Sequence, residues 1–286
     1  MEHLLLVDGS NLLFQMFYGM PSRILAPDGR PVHGTLGFAG ALLRSARALR
    51  PTHALVVFDG ECQNPRAALD AAYKANRPDF SALPERETPF SQLPDIYAVL
   101  DQLGVKHLET DGCEADDLIA AYALACRGGA QVTILSLDSD FFQLIDETVR
   151  VYRYRGDRSV LCTKEYVRAR FGVRAAQYAD FKCLVGDPSD NIPGVRGVGP
   201  KIAARLLARF ETLEGVLAGA EGEGEGEWPE RAALREAVAQ QAQRLRTNHA
   251  LIRLFGAAAL PFPPEALACE LPDVRAGALL RRMGLL

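Results

Sequence analysis

Nine acidic residues fall in five short stretches whose types and spacing suit cation chemistry: Asp8, Asp59, the trio Glu114, Asp116 and Asp117, the pair Asp138 and Asp140, and the pair Asp187 and Asp190. In Gly112-Cys113-Glu114-Ala115-Asp116-Asp117, Glu114 and Asp117 are three apart and share one face of a first helical turn. Acids there also suit the positive end of the helix dipole, so capping alone accounts for this stretch. Asp138 and Asp140 point the same way if the strand before them runs on to reach them, because side chains alternate. Asp187 and Asp190 occupy a loop rich in Pro and Gly, where turn chemistry is a sufficient explanation by itself. The combination is harder to explain away. Nine carboxylates gathered without cations would repel one another and raise one another's pKa values. All-oxygen ligation without nearby His or Cys suits Mg²⁺ or Mn²⁺ rather than zinc. Mg²⁺ binds through one or two carboxylates, so this many acids implies two or more ions. Two ions about 3.5–4 Å apart activate an attacking water and stabilise the leaving oxygen in phosphodiester cleavage. Phosphodiester hydrolysis is the chemistry this set favours.

Two further stretches suit phosphate handling. Arg66, Tyr73, Lys74 and Arg77 follow Asp59, and a helix over about 65–76 would bring Arg66, Tyr73 and Lys74 close to one stripe. A cation above an acidic metal site neutralises a scissile phosphate diester, and Tyr73 could stack on a base. A surface helix with routine basic residues is the plainer alternative. The run Ile192-Pro-Gly-Val-Arg-Gly-Val-Gly-Pro-Lys201-Ile-Ala-Ala-Arg205 reads as a glycine-rich hairpin entering a helix, with Pro200 at the first helical position. Gly194, Gly197 and Gly199 remove side chains that would hold a ligand away, and Lys201 and Arg205 add charge to the helix N-terminus. Such a clamp grips the phosphate backbone and reads no bases. A helix–hairpin–helix used only for packing is the competing reading.

Elements must bring these stretches together. Residues 3–8, 53–59 and 131–138 are apolar runs, each ending in an acid, as buried parallel strands do, with a shorter strand at 105–108. Helical spacing over 36–50, 89–103 and 114–127 alternates with them, which predicts an α/β fold with a mainly parallel sheet. Ligand sites in such sheets lie beyond the carboxyl ends of the strands, where Asp8, Asp59 and Asp138 stand. From about 165 the β signal fades, and 164–184, 200–218 and 229–255 read as helices of a second module. Residues 220–227, Ala followed by alternating Glu and Gly, read as a flexible acidic connector, and the proline-rich 256–286 as a tail that wraps back over the core. The expected division is an α/β core over 1–163 with a clamp at about 66–100, a helical module over 164–255 containing the hairpin at about 184–210, and the tail.

The 286 residues are 48% hydrophobic and 24% charged, enough to bury a sizeable core. Six cysteines without a CxxC pair and the lack of a leader-like start predict reduced thiols in a cytoplasmic protein. No apolar run approaches the roughly 20 residues that span a bilayer. The net charge of −4 hides polarity along the chain: residues 150–209 hold 13 Lys and Arg against five Asp and Glu, an excess of +8, leaving −12 elsewhere. A basic surface and an acidic pocket can coexist.

In sequence order, Val7-Asp8-Gly-Ser-Asn, Val-Phe-Asp59-Gly, Tyr73-Lys74-x-x-Arg77-Pro, Gly-Cys-Glu114-Ala-Asp116-Asp117, Asp138-x-Asp140 and Gly-Asp187-x-x-Asp190-Asn-Ile-Pro-Gly-Val-x-Gly-Val-Gly-Pro-Lys201 match signatures of a known family. The chain resembles the 5′ nucleases: the 5′→3′ exonuclease domain of bacterial DNA polymerases, phage exonucleases and flap endonucleases, with a PIN-like core. The likeness covers about 3–210 and runs more loosely to about 255. It implies that Asp8, Asp59, Glu114, Asp116, Asp117, Asp138, Asp140, Asp187 and Asp190 form a two-metal site, that Lys74 and Arg66 contact the scissile phosphate, and that a helical arch near 66–100 admits single-stranded 5′ ends. It also implies a K⁺ ion on the helix–hairpin–helix, held by backbone carbonyls of Leu184, Val185, Pro193, Val195 and Val198. Tyr73, Arg77, Gly194, Gly197, Gly199, Lys201 and Arg205 are the DNA-binding candidates. Two positions depart from the family pattern: Gln15, where Arg is common, and Pro65, where an aromatic precedes the arch arginine. No polymerase follows within the 286 residues, so the resemblance implies a stand-alone, monomeric nuclease acting on 5′ flaps, nicks or RNA primers on DNA, with a DNA polymerase as working partner. Two other readings compete. One is a structure-specific DNA-binding protein with little or no catalysis. The other is a phosphatase with Asp8 as nucleophile, which would expect an acid where Ser10 stands and leaves the hairpin unexplained.

Overall fold

The computed structural model describes residues 2–60, 65–78, 80, 83–84, 87–222, 228–256 and 258–286. Its first strand, β1 (His3–Asp8), is an uninterrupted apolar run because it lies inside a sheet covered on both faces. Helices α1 (Gly9–Gly19) and α2 (His33–Leu49) follow, then β2 (His53–Phe58), α3 (Leu93–Gln102), β3 (Lys106–Glu109), α4 (Ala115–Ala125) and β4 (Gln131–Leu135). Two strands absent from the sequence reading, β5 (Val149–Arg153) and β6 (Val160–Cys162), complete a six-stranded sheet in the order β3-β2-β1-β4-β5-β6. All neighbours are parallel except the β5–β6 pair. Alternate residues of β1 sort to opposite faces: Leu4 and Leu6 pack with α4, Leu5 and Val7 with α1, α2 and α3. Strand order turns at β1, with β2 on one side and β4 on the other, so the crevice for a ligand opens beyond the ends of these strands.

The helical half continues the same hydrophobic cluster that covers the α4 face of the sheet. It comprises α5 (Lys164–Phe171), α6 (Tyr178–Val185), α7 (Pro200–Phe210), α8 (Leu213–Glu221), α9 (Ala232–Gln240) and α10 (Ala242–Ile252), with a short hairpin of β7 (Gly186–Asp187) and β8 (Ile192–Pro193) between α6 and α7. Each long helix expected here is divided. Gly172, at φ 75°, closes α5, and Glu211, at φ 67°, separates α7 from α8. The last helix, α11 (Ala276–Arg282), buries Leu279 and Leu280 beside α2, and Cys269 N donates to the Thr52 carbonyl at 3.1 Å. The C-terminal segment therefore packs back over the core. Cys62 and connector residues 223–227 lie outside the described residues.

The stretch read as one helix over 65–76 is not one. A single 3₁₀ turn at Pro65–Ala68 gives way to consecutive turns, with Lys74 at φ 57°. Tertiary bonds outcompete helix formation here: Lys74 N donates to the Asp190 carbonyl (3.0 Å), Asn76 Nδ2 to Pro188 O (2.9 Å) and Asn191 Nδ2 to Ala72 O (2.8 Å). No α-helix occurs among the described residues between 69 and 92, so the helical arch is not seen there; residues 79, 81–82 and 85–86 fall outside them.

Gly194 has a different purpose from the one its sequence context implies. A Cβ there would overlap the Val185 carbonyl, so the glycine lets the hairpin close against the end of α6. Gly194→Ala is expected to lower the melting temperature by several degrees, the cost of overpacking against backbone being about 1–3 kcal/mol. A thermal melt matching the parent would contradict this.

Candidate metal and phosphate site

The carboxyl ends of the strands build one cavity of about 630 Å³, lined by Asp8, Asp59, Glu114, Asp116 and Asp138, with Lys74, Arg77, Ser10, Asn11, Phe14, Phe80 and Phe90. Local bonds aim each acid. Asp8 caps α1, its Oδ1 accepting from Asn11 N at 3.0 Å, while its Oδ2 accepts from Ser136 Oγ at 2.7 Å. Asp59 follows β2 directly; its Oδ1 accepts from Ala115 N at 2.9 Å and its own N–H donates to Ser10 Oγ at 2.8 Å. Asn11 Oδ1 accepts from Leu137 N at 3.0 Å and so fixes the loop that presents Asp138. Ser10, Asn11 and Ser136 were not singled out in the sequence as positioning groups. The run Asp8-Gly9-Ser10-Asn11 held that signal, since small polar residues after an acid favour local bonds to backbone.

The electrostatics are those of a site short of positive charge. Burial first, then repulsion from Asp59 and Asp138, pushes the Asp8 carboxyl up to about 7, against the bonds from Asn11 and Ser136. Asp116 is raised well above the carboxylate range by burial and by Asp8, Asp138 and Asp59, with Lys74 opposing. Glu114 behaves oppositely. Burial works against its charge, but Lys74 and Arg66 beside it hold its carboxyl below the usual value. Carboxylates crowded in this way, with Asp8 and Asp116 raised by burial and by one another, fit a hard divalent ion.

Five of the nine acids line this cavity; the others do not. Strand β4 stops at Leu135, so Asp138 and Asp140 do not sit on an extended strand. Asp138 Oδ1 accepts from Asp140 N at 2.8 Å in a tight turn, and Asp138 lines the cavity while Asp140 does not. Asp140 joins Asp187 and Asp190 in a second, buried group whose oxygens lie within 4.8 Å of one another. Asp187 makes the expected turn, accepting from Ser189 N (3.0 Å) and Ser189 Oγ (2.5 Å). Within this group stands a residue the sequence reading missed. Lys182, on α6, pairs with Asp140 and with Asp187 (2.5 Å). Its position five residues before Asp187 gave no pattern to recognise.

Asp117, Arg66 and Tyr73 require correction. Arg66 is 6% exposed and does not line the cavity. Its terminal nitrogens bond the Asp117 carboxylate at 2.8 and 2.7 Å, pair with Glu114 and reach the Arg253 carbonyl at 3.2 Å. Phe255 N also donates to Asp117, at 3.2 Å, so Asp117 braces the chain after α10 behind the site. Gln143 extends the brace, donating to the carbonyls of Asp140 (2.9 Å) and Ile252 (3.1 Å). Tyr73 is 7% exposed with its hydroxyl 3.3 Å from Glu114, so little of its ring is open for a base to stack on. Lys74 pairs with Glu114 from the cavity side, and exposed Arg77 reaches Asp190 at 3.2 Å. Gln15 turns inward, donating to the Tyr154 carbonyl at 2.7 Å.

In the hairpin module, Lys201 and Arg205 lie exposed on α7, Arg205 pairing with Glu230 at 2.5 Å. Gly199 faces open space and Gly197 requires its φ of 89°. Of the five carbonyls assigned to K⁺, Leu184 and Val195 accept backbone bonds at 2.9 Å and Pro193 accepts from Asn248 Nδ2 at 2.8 Å.

Known proteins resemble this chain in sequence and in fold. A family model described as "5'-3' exonuclease, N-terminal resolvase-like domain" matches residues 3–172, and one described as "5'-3' exonuclease, C-terminal SAM fold" matches 173–275. A 5'-3' exonuclease of Streptomyces coelicolor is 38% identical over 227 residues, covering 75% of this chain and 74% of that protein. One of Aquifex aeolicus is 32% identical, covering 96% of this chain and 89% of its own. DNA polymerase I of Rhizobium leguminosarum is 35% identical over 94% of this chain, which spans only 26% of that protein. Among solved structures, T5 5'-exonuclease with bound divalent metal ions (zinc) superposes with a TM-score of 0.69 at 22% identity, covering 88% of this chain and 90% of that one. The Rad2 catalytic core in complex with DNA substrate superposes at 0.62 and 16% identity, over 98% and 86%. Among the described residues no helix is long and apolar enough to cross a membrane. With both domain models matching in order and the acids converging where the strands end, the chain belongs to the 5'-3' exonuclease family and is a nuclease of the hydrolase class.

Proposed function

We propose that the protein is a metal-dependent 5′→3′ exonuclease and flap endonuclease that hydrolyses phosphodiester bonds at 5′ ends of DNA or RNA/DNA. One observation carries this reading: Asp8, Asp59, Glu114, Asp116 and Asp138 share one open cavity with Lys74 and Arg77. Asp8, Asp59, Asp116 and Asp138 would hold the first of two Mg²⁺ or Mn²⁺ ions, and Asp140, Asp187 and Asp190 the second. Such ions supply Lewis-acid stabilisation of phosphoryl oxygens and activation of water. The chain's own groups do the remainder. Lys74, already charged against Glu114, neutralises a phosphate oxygen entering the cavity. Tyr73 and Arg66 hold Glu114 from behind and leave half-buried Lys74 on the cavity side. Phe14, Phe80 and Phe90, with ring centroids 5.6–5.7 Å apart, form an apolar wall on which a base at the end of a strand can rest. Lys201, Arg205 and the N-terminus of α7 grip duplex backbone without reading sequence. The hairpin carbonyls each keep a lone pair for a K⁺ ion.

End-labelled flap, nicked and single-stranded substrates, incubated with Mg²⁺ or EDTA, test this reading. Cleavage from 5′ ends should require the metal and fall about 10²–10³-fold in Lys74→Ala, the usual loss for one transition-state donor. Binding of the flap without product under any divalent metal would instead favour a DNA-binding protein. Exchange of KCl for LiCl at constant ionic strength should weaken duplex binding if the hairpin carries K⁺.

A further inference from the structure

Phosphodiester cleavage by itself assigns no role to an ammonium group inside the second acid cluster. Lys182 is nevertheless there, its side chain 9% exposed and its Nζ held between Asp140 and Asp187. The two acid groups are therefore neutralised very differently. Asp8, Asp59, Asp116 and Asp138 face the cavity together with Lys74, which is paired with Glu114. The second group has Lys182 in its midst and Arg77 against Asp190. An ammonium donating to two of three carboxylates uses oxygen lone pairs that a divalent ion needs, and its charge repels that ion at close range.

We propose that Lys182 is a built-in counter-cation that keeps the Asp140, Asp187 and Asp190 group from binding a divalent ion tightly, making the two cation positions unequal. The first group draws its ion from solvent. The second holds its geometry without one, and accepts an ion only when the ammonium is drawn off its aspartates. This rests on the metal-dependent reading above and adds to it an order of binding.

The test is a Mn²⁺ titration of the metal-free protein without nucleic acid, followed by the electron paramagnetic resonance signal of free Mn²⁺. The wild-type protein should show one tight site and a second about 100-fold weaker, the scale expected for placing one extra positive charge beside an ion. Lys182→Met should tighten the second site at least about tenfold, whereas Lys182→Arg, which keeps the charge, should leave it weak. Asp116→Asn should weaken the tight site and not the other. Two equally tight sites in the wild-type protein, or a Lys182→Met isotherm superposing on the wild type, would overturn the proposal while leaving metal dependence intact. The wild-type isotherm decides even if the methionine variant does not fold. Absence of Mn²⁺ binding at millimolar concentration would overturn both the proposal and the reading beneath it.

Discussion

Asp116→Asn is expected to reduce cleavage at least about 10³-fold while leaving the metal-free protein no less stable than its parent. The loss corresponds to about 4 kcal/mol of transition-state stabilisation, within what a metal site supplies. The unchanged stability has a separate cause. Burial, together with Asp8, Asp138 and Asp59, already presses the Asp116 carboxyl toward its neutral form. An isosteric amide removes a charge that the folded state tolerates poorly without a cation. Single-turnover cleavage of a labelled flap and thermal melting in EDTA measure the two halves separately. A rate within tenfold of the parent would show that Asp116 is dispensable for the cation; a large fall in melting temperature would show that its role is structural.

Stability of the metal-free protein should fall as pH rises from about 4 to about 7, and divalent ions should restore it. Asp8 and Asp140 are both pushed up to about 7, chiefly by burial, whereas the same side chains in the unfolded chain ionise near 4. Across that window the folded state holds more protons than the unfolded state, so stability declines with pH. Their contribution is present in full below the unfolded value and is lost as pH passes through the folded one. Glu114 and Asp187 are shifted the other way: burial opposes their charge, but Lys74 and Arg66 around Glu114, and Lys182 and Ser189 around Asp187, outweigh it. The stability they add is lost only as pH falls below the ordinary carboxylate range, outside this window. The melting temperature in chelator should therefore drop by roughly 5–10 °C between pH 5 and pH 7.5, and saturating Mg²⁺ or Mn²⁺ should recover it by binding the folded state alone. A melting temperature that stays level or climbs across this range in chelator would mean that the acids carry their own neutralisation.

Much of this molecule is readable from local pattern. Strands β1, β2 and β4 declare themselves because a strand covered on both faces must be apolar throughout, and that property is written in consecutive residues. Asp8 and Asp59 could be assigned to one edge for the same reason: each ends such a run or directly follows it. The start of α7 was legible through Pro200, whose conformational demand is also local, whereas the hairpin before it turns at residues 188–191, ahead of the glycines that suggested one. Strands β5 and β6 escaped notice because charged residues interrupt β5 (Val149-Arg-Val-Tyr-Arg153) and β6 is only three residues long.

The sequence by itself determined which residues are acidic and which strands carry Asp8 and Asp59 to one edge, and so many carboxylates made a cation the expected counterpart. Only the tertiary structure decided how those carboxylates are shared out. Asp117 is diverted to a brace with Arg66 and the Phe255 N–H, Tyr73 is buried beneath Glu114, and Lys182 enters the group formed by Asp140, Asp187 and Asp190. Each outcome pairs groups from distant segments, as with Arg66 and Arg253, Lys182 and Asp140, or Lys74 and Asp190. Spacing along the chain specifies which side chains share a face of one element. Which opposite charge reaches a buried carboxylate first depends on how those elements pack, and burial makes that choice energetically decisive.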